Sequence, residues 1–164
     1  MIPLQTKEIA QLVQGQLVGA DIQIQSVSTD SRNITQGDLF IALKGPNFDG
    51  HQFAADVIAK GAAALIVEQQ LDLAVPQIIV ADTRLALGAL GAAVKQKINP
   101  KSVAVTGSVG KTTVKEMMAA ILDRIGNVLA TAGNFNNRKK LVTVLRCLFT
   151  FSPNCSCVML VMRL

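Results

Sequence analysis

The chain has 164 residues, enough for one domain or two small ones, and a compact fold of this size buries about two-thirds of its unfolded surface. Its formal charge of +5 would ordinarily point to nucleic acid or a membrane surface, but the excess is local. Residues 1–137 hold eleven of the sixteen Lys and Arg and all eleven Asp and Glu, so they are neutral; Arg138, Lys139, Lys140, Arg146 and Arg163 supply the surplus. Trp and Tyr are absent, which removes the usual stacking platform for single-stranded nucleic acid, and no nucleic-acid partner is expected. Met1–Val13 contains Lys7 and Glu8 and no apolar run of the secretory kind, so a cytoplasmic protein is expected.

Taken in order, residues 6–14 place apolar side chains at 9, 10, 12 and 13, the pattern of a short amphipathic helix with Thr6 as N-cap and Gly15 as its C-terminal stop. Ile22–Val27 alternates apolar and polar residues and predicts one half-buried strand. Ser28–Arg32 (S-T-D-S-R) reads as a polar turn. Asp38–Leu43 predicts an apolar strand ended by K-G-P-N, and His51–Lys60 a helix closed by Gly61. Ala63–Val67 and Gln77–Val80 are short buried strands, and a helix between strands at this spacing is that of a βαβ unit. Asp82 or Thr83 opens the next helix, which Asn99-Pro100 ends. Gly88 and Gly91 within it are expected to allow close packing. A boundary between two α/β lobes is expected at residues 81–84.

The richest stretch is Ser102–Thr113, S-V-A-V-T-G-S-V-G-K-T-T. A small apolar strand feeds a glycine loop and then an amphipathic helix. Gly107 and Gly110 permit the turn and let amide N–H groups of 107–113 approach an anion; these are Gly107, Ser108, Val109, Gly110, Lys111, Thr112 and Thr113. Lys111 brings a positive charge and is the candidate catalytic residue. Thr112 brings a hydroxyl suited to a phosphate-bound Mg²⁺. The spacing departs from the usual G-x-x-x-x-G-K-[ST], because the position five before Gly110 is Val105. Nucleotide phosphate binding is nevertheless the expectation. Asn127–Thr131 predicts the next strand, and the polar loop after it, with Asn134, Asn136 and Asn137, is expected on the same rim as the phosphate loop.

Three stretches together resemble the Mur ligases. They are S-T-D-S-R with D-L-F-I-A-L-K-G and D-G-H-x-F (residues 28–53), T-G-S-V-G-K-T-T-V-K-E-M (106–117) and T-A-G-N-F-N-N (131–137). The resemblance covers residues 1–137. It implies an α/β protein with a small N-terminal UDP-binding lobe, residues 1–83, followed by the start of a P-loop parallel-sheet ATPase domain, residues 84–137. It implies ATP and Mg²⁺ as cofactors, and a UDP-N-acetylmuramoyl-tripeptide and D-alanyl-D-alanine as substrates. The γ-phosphate would pass to the peptide carboxylate, and an amine would then attack the acyl phosphate. Ser28, Thr29, Asp30, Ser31, Arg32, Lys44 and His51 are the candidates for the UDP substrate. Asn134, Asn136 and Asn137 would line the nucleotide site.

Residues 138–164 do not match that family's continuation. They contain no acid and no Gly, all three cysteines of the chain (Cys147, Cys155 and Cys157), and no clean period. A membrane span needs about 20 apolar residues, and the stretch between Arg146 and Arg163 is interrupted by Ser152, Pro153, Asn154 and Ser156. C-S-C alone lacks two metal ligands. The expectation is a frame-shifted or disordered tail on a truncated, monomeric ligase without turnover of its own. Two other functions fit the motifs. A P-loop kinase or NTPase would need an Asp closing the strand after the loop helix, and residues 127–131 offer none. A non-catalytic nucleotide or UDP-sugar binding module needs only the two binding surfaces.

Overall fold

The computed structural model describes residues 4–45, 48–99, 101–105, 109–130 and 155–161. The chain opens with strand β1 (Leu4–Gln5) and helix α1 (Thr6–Leu12), followed by β2 (Gln16–Val18), β3 (Gln23–Ile24), β4 (Ser26–Ser28) and β5 (Asp38–Ile41). A hairpin of β6 (Lys44–Gly45) and β7 (Phe48–Asp49) leads through a 3₁₀ turn, Gly50–Phe53, into α2 (Ala54–Ala59). Then come β8 (Ala64–Val67), β9 (Gln77–Ile79) and α3 (Thr83–Ile98). The expected single strand over Ile22–Val27 is two: β3 pairs antiparallel with β1, and β4 pairs parallel with β5.

One five-stranded sheet, in the order β2-β9-β8-β5-β4, organises this lobe. The four strands β4, β5, β8 and β9 are parallel, and only β2 at the edge runs against its neighbour. Parallel strands need crossovers, which cover the sheet on both faces, so the strands read as continuous apolar runs. The two faces divide by the strand period of two. Leu39, Ile41, Ala64 and Ile66 join Ile9, Val13, Leu87, Leu90 and Val94 of α1 and α3 in one buried cluster. Phe40, Ala42, Leu65 and Val67 join Ala54 and Val57 of α2 in the other.

Three expectations are corrected here. Since Ala86, Leu87, Leu90 and Val94 of α3 lie in the first lobe's core, α3 belongs to that lobe, and the boundary moves from 81–84 to the end of α3, where Asn99 adopts a left-handed conformation. Its start is as expected, with the Asp82 carboxylate accepting from the N–H groups of Arg84 and Leu85. Gly88 is not a packing glycine, since a Cβ there would meet nothing within 4 Å. At the end of α1 the left-handed residue is Gln14, not Gly15. Gln14 and Gly15 N–H donate to the carbonyls of Gln11 and Ala10, a Schellman closure. Gly15 is needed for a different reason: a Cβ would lie 2.8 Å from Ile78 and Val80 side-chain atoms.

The second unit comprises β10 (Lys101–Val105), α4 (Lys111–Leu122), β11 (Asn127–Ala130) and β12 (Cys155–Val161). Its sheet order is β10-β12-β11, with β12 parallel to both neighbours. The tail therefore supplies the central strand of this sheet among the described residues, so the expectation of a disordered tail does not hold for Cys155–Val161. Lys101 pairs with Cys157 and Val105 with Val161.

Two outcomes are expected. Gly15→Ala will lower the urea midpoint of the N-terminal lobe by an amount equal to roughly 1–3 kcal/mol, because the added methyl overpacks a closed contact; an unchanged midpoint would contradict that packing. In hydrogen exchange, the amides of β12 will be protected together with those of β10, and exchange at open-chain rates in Cys157–Leu160 would contradict the three-stranded order.

Candidate functional site

Because β4, β5 and β8 are parallel neighbours, the segments that leave their C-terminal ends share one edge of the sheet. Those segments are the turn Thr29–Asn33, the chain into the β6–β7 hairpin, and Glu68. Ligands of open parallel sheets sit at this edge. The predicted residues Ser28, Thr29, Asp30, Ser31, Arg32 and Lys44 all belong to it, as does the 3₁₀ turn carrying His51.

The turn is held together internally. Arg32 donates from Nε and Nη2 to the two oxygens of Asp30, each at 2.9 Å, and its backbone N–H donates to Oδ1 at 3.0 Å. These bonds to the ionised carboxylate hold the Asp30 pKa down at about 2. Buried Ser28 at the end of β4 donates to the Asp30 and Asn33 carbonyls and accepts the Asp30 N–H. From beyond α2, Lys60 Nζ donates to the Ser31 carbonyl at 2.7 Å. Ser28 thus shapes the turn from below, while Arg32 stays exposed and pre-oriented.

Lys44 is exposed on β6 and stands opposite Asp49 in the hairpin register. His51 differs from the expectation of a substrate contact. Its Nδ1 lies 2.6 Å from Asp49 Oδ1, and its Nε2 accepts the Glu68 backbone N–H at 2.9 Å. The imidazole therefore carries its proton on Nδ1, and both nitrogens are engaged within the protein. The Asp49 carboxylate also accepts the His51 backbone N–H, and these bonds to His51 hold its pKa below the usual range. Asp49, Lys60 and Glu68 were not singled out from the sequence. Asp49 sits two residues before His51 and was available as a local signal; Glu68 becomes visible only once β8 is known to end beside the hairpin.

In the second unit, the phosphate-loop residues Gly107 and Ser108 and the loop residues Asn134, Asn136 and Asn137 lie outside the described residues. Gly110 is the N-cap of α4 with φ of 79°, a left-handed conformation that favours glycine, and no side chain caps the helix. Val109, Thr112 and Thr113 are exposed and Lys111 is half-buried. The first turn of α4 contains no acidic residue. This is a helix start whose dipole, backbone N–H groups and Lys111 suit an anion. Lys115, four residues on, is buried and its Nζ lies 2.8 Å from Glu116. β10 and β11 are both parallel to β12, so the phosphate loop and the segment after Ala130 leave the same end of the sheet.

A covered α/β lobe is thus followed by a second parallel-strand unit whose helix start suits an anion. Comparison with known families places both units in one class. The catalytic domain of the Mur ligase family matches residues 23–125, and the Mur ligase middle domain matches residues 105–160. The chain belongs to the Mur ligase family. The middle-domain match runs into the tail, which was expected not to match. Among curated relatives, the UDP-N-acetylmuramoyl-tripeptide–D-alanyl-D-alanine ligase of Escherichia coli is 53% identical over 84% of this chain and 30% of its own length. That of Haemophilus influenzae is 48% identical, over 84% and 31%. Of solved structures, the UDP-N-acetylmuramoylalanyl-D-glutamyl-2,6-diaminopimelate–D-alanyl-D-alanyl ligase from Acinetobacter baumannii superposes with a TM-score of 0.88 at 38% identity, covering all of this chain and 37% of that one. The Thermotoga maritima MurF ligase in complex with ADP superposes at 0.67 with 27% identity, covering 85% and 32%. The chain thus spans about 30% of the length of the curated relatives it matches. No described helix is long and apolar enough to cross a membrane.

The Asp30–Arg32 pair is expected to show in a carboxyl NMR titration. Asp30 will titrate near 2, and Arg32→Ala will return it toward the ordinary value of 3.8. Since the folded value is depressed, what the pair contributes is complete above the ordinary carboxylate range and is lost as pH falls toward 2. An Asp30 that titrates normally in the unaltered chain would contradict the bidentate geometry.

Proposed function

We propose that the chain carries the substrate lobe and the start of the ATP lobe of an ATP-dependent carbon–nitrogen ligase. The complete enzyme joins D-alanyl-D-alanine to a UDP-N-acetylmuramoyl-tripeptide in building the peptidoglycan precursor. The observation that carries this is that the Ser28–Arg32 turn follows the parallel strand β4 and the start of α4 follows the parallel strand β10, so the two motif clusters stand at the carboxyl ends of parallel strands in two separate sheets. Both substrates are small and polar, which suits a cytoplasmic monomer.

The chemistry requires one anion to be transferred onto another. Phosphoryl transfer to a carboxylate therefore depends on charge neutralisation and alignment. Lys111 and the α4 N-terminus meet the phosphates, and Thr112 is the hydroxyl suited to Mg²⁺. When bound, Mg²⁺ would supply neutralising charge on the phosphate oxygens. At the other rim, Arg32 and Lys44 are cations for the diphosphate, and Thr29, Asp30 and Ser31 offer polar partners for the uridine. The amine then displaces phosphate from the acyl phosphate to give the amide. For the 164 residues taken alone, the supported function is binding at the two rims, and turnover is assigned to the whole ligase.

Lys111→Ala is expected to weaken MgATP binding at least about tenfold, since a charge-assisted contact is lost, while UDP-N-acetylmuramoyl-tripeptide binding stays unchanged. Isothermal calorimetry on the full chain measures both. Equal ATP affinity in the two proteins would remove the phosphate-loop assignment.

A further inference from the structure

We propose that His51 is a positioning residue for the substrate rim: it bolts the β6–β7 hairpin to the end of β8, so that Lys44 is held over the site without His51 touching the ligand. The inference rests on the UDP-binding role of that rim.

An aspartate–histidine pair beside a candidate site invites reading as a general base. The hydrogen bonds argue otherwise. A base of that kind needs its outer nitrogen open toward the substrate. Here Nε2 accepts the N–H of Glu68, and Nδ1 faces Asp49. The ring is a rigid spacer with a donor at one end and an acceptor at the other. One end holds Asp49 at the foot of the hairpin; the other holds the first residue beyond β8. The same foot is closed by the Gly50 N–H, which donates to the Leu43 carbonyl at 2.9 Å. Glu68 is in turn fixed to the next element, because its Oε1 accepts from both the N–H and the hydroxyl of buried Thr83 at 3.2 Å. The hairpin is therefore tied through His51 and Glu68 to the start of α3.

Lys44 lies directly across the hairpin from Asp49. A lysine on a free two-residue strand would have to be ordered when a phosphate arrives, which costs conformational entropy. A hairpin fixed beforehand avoids that loss, so the bolt acts on affinity through placement.

The test uses the full chain. Long-range ¹H–¹⁵N spectra are expected to show His51 protonated on Nδ1 and not on Nε2; the opposite tautomer would overturn the proposal. Calorimetry with UDP-N-acetylmuramoyl-tripeptide is expected to show about tenfold weaker binding for His51→Ala. Asp49→Ala, which cuts the other end of the bolt without removing the ring, is expected to lose a similar factor. Asp49→Asn keeps an acceptor and is expected to stay within about twofold of the unaltered chain. Unchanged affinity in His51→Ala, or Asp49→Asn as weak as Asp49→Ala, would overturn it. If the unaltered chain fails to bind the UDP compound, the rim assignment fails, while the tautomer spectrum still judges the bolt.

Discussion

Parallel pairing of β4, β5, β8 and β9 is the constraint on which the first lobe depends. Strands that run the same way must each be followed by a return across a face of the sheet. The return through α2 covers one face, and α1 and α3 cover the other, so the strand interiors are apolar on both faces, with Ser26, Ser28, Asp38 and Gln77 as buried polar residues at strand ends. It also collects the first residues after each strand at one edge. The Asp30–Arg32 turn, the Lys44 hairpin and Glu68 are neighbours for that reason and not because of sequence proximity. The polar bonds at this edge are of two kinds: Arg32 to Asp30 and His51 to Asp49 close single turns, while Lys60 to Ser31 and Glu68 to His51 join separate segments.

The same constraint shapes the second unit. β10 delivers the phosphate loop and β11 delivers the asparagine loop, but the two strands do not pair with each other. β12 lies between them and is parallel to both. A strand from the tail thus sets the spacing between β10 and β11.

Much of this was legible in the sequence, and the failures have identifiable causes. The βαβ unit and the helix at Thr83 could be read because their apolar residues follow the strand and helix periods and Asp82 is a strong cap. The strand and helix on either side of the glycine-lysine-threonine stretch could be read, and the structure has them as Lys101–Val105 and Lys111–Leu122. β12 could not, since C-S-C-V-M-L-V shows no period that marks it as a strand, while in the structure it pairs in parallel with a neighbour on each side. The lobe boundary was misplaced because a helix pattern reveals an apolar face but not which sheet it covers; Leu87, Leu90 and Val94 turn to the first. Gly15 was read as a conformational stop when its role is a close approach to Ile78 and Val80. The bond that engages His51 could not be read, because its partner across the fold, Glu68, is 17 residues away in sequence.

If the proposed ligand rims, one per sheet, act separately, backbone chemical-shift mapping of the full chain will resolve them when UDP-N-acetylmuramoyl-tripeptide and MgATP are added in turn. The UDP compound is expected to shift residues in Ser28–Arg32, Lys44–Gly45 and the neighbourhood of Glu68, and MgATP to shift Val109–Thr113. Shifts from the UDP compound centred on the opposite end of the sheet, around Asp38 and Ala64, or on the second unit alone, would contradict it.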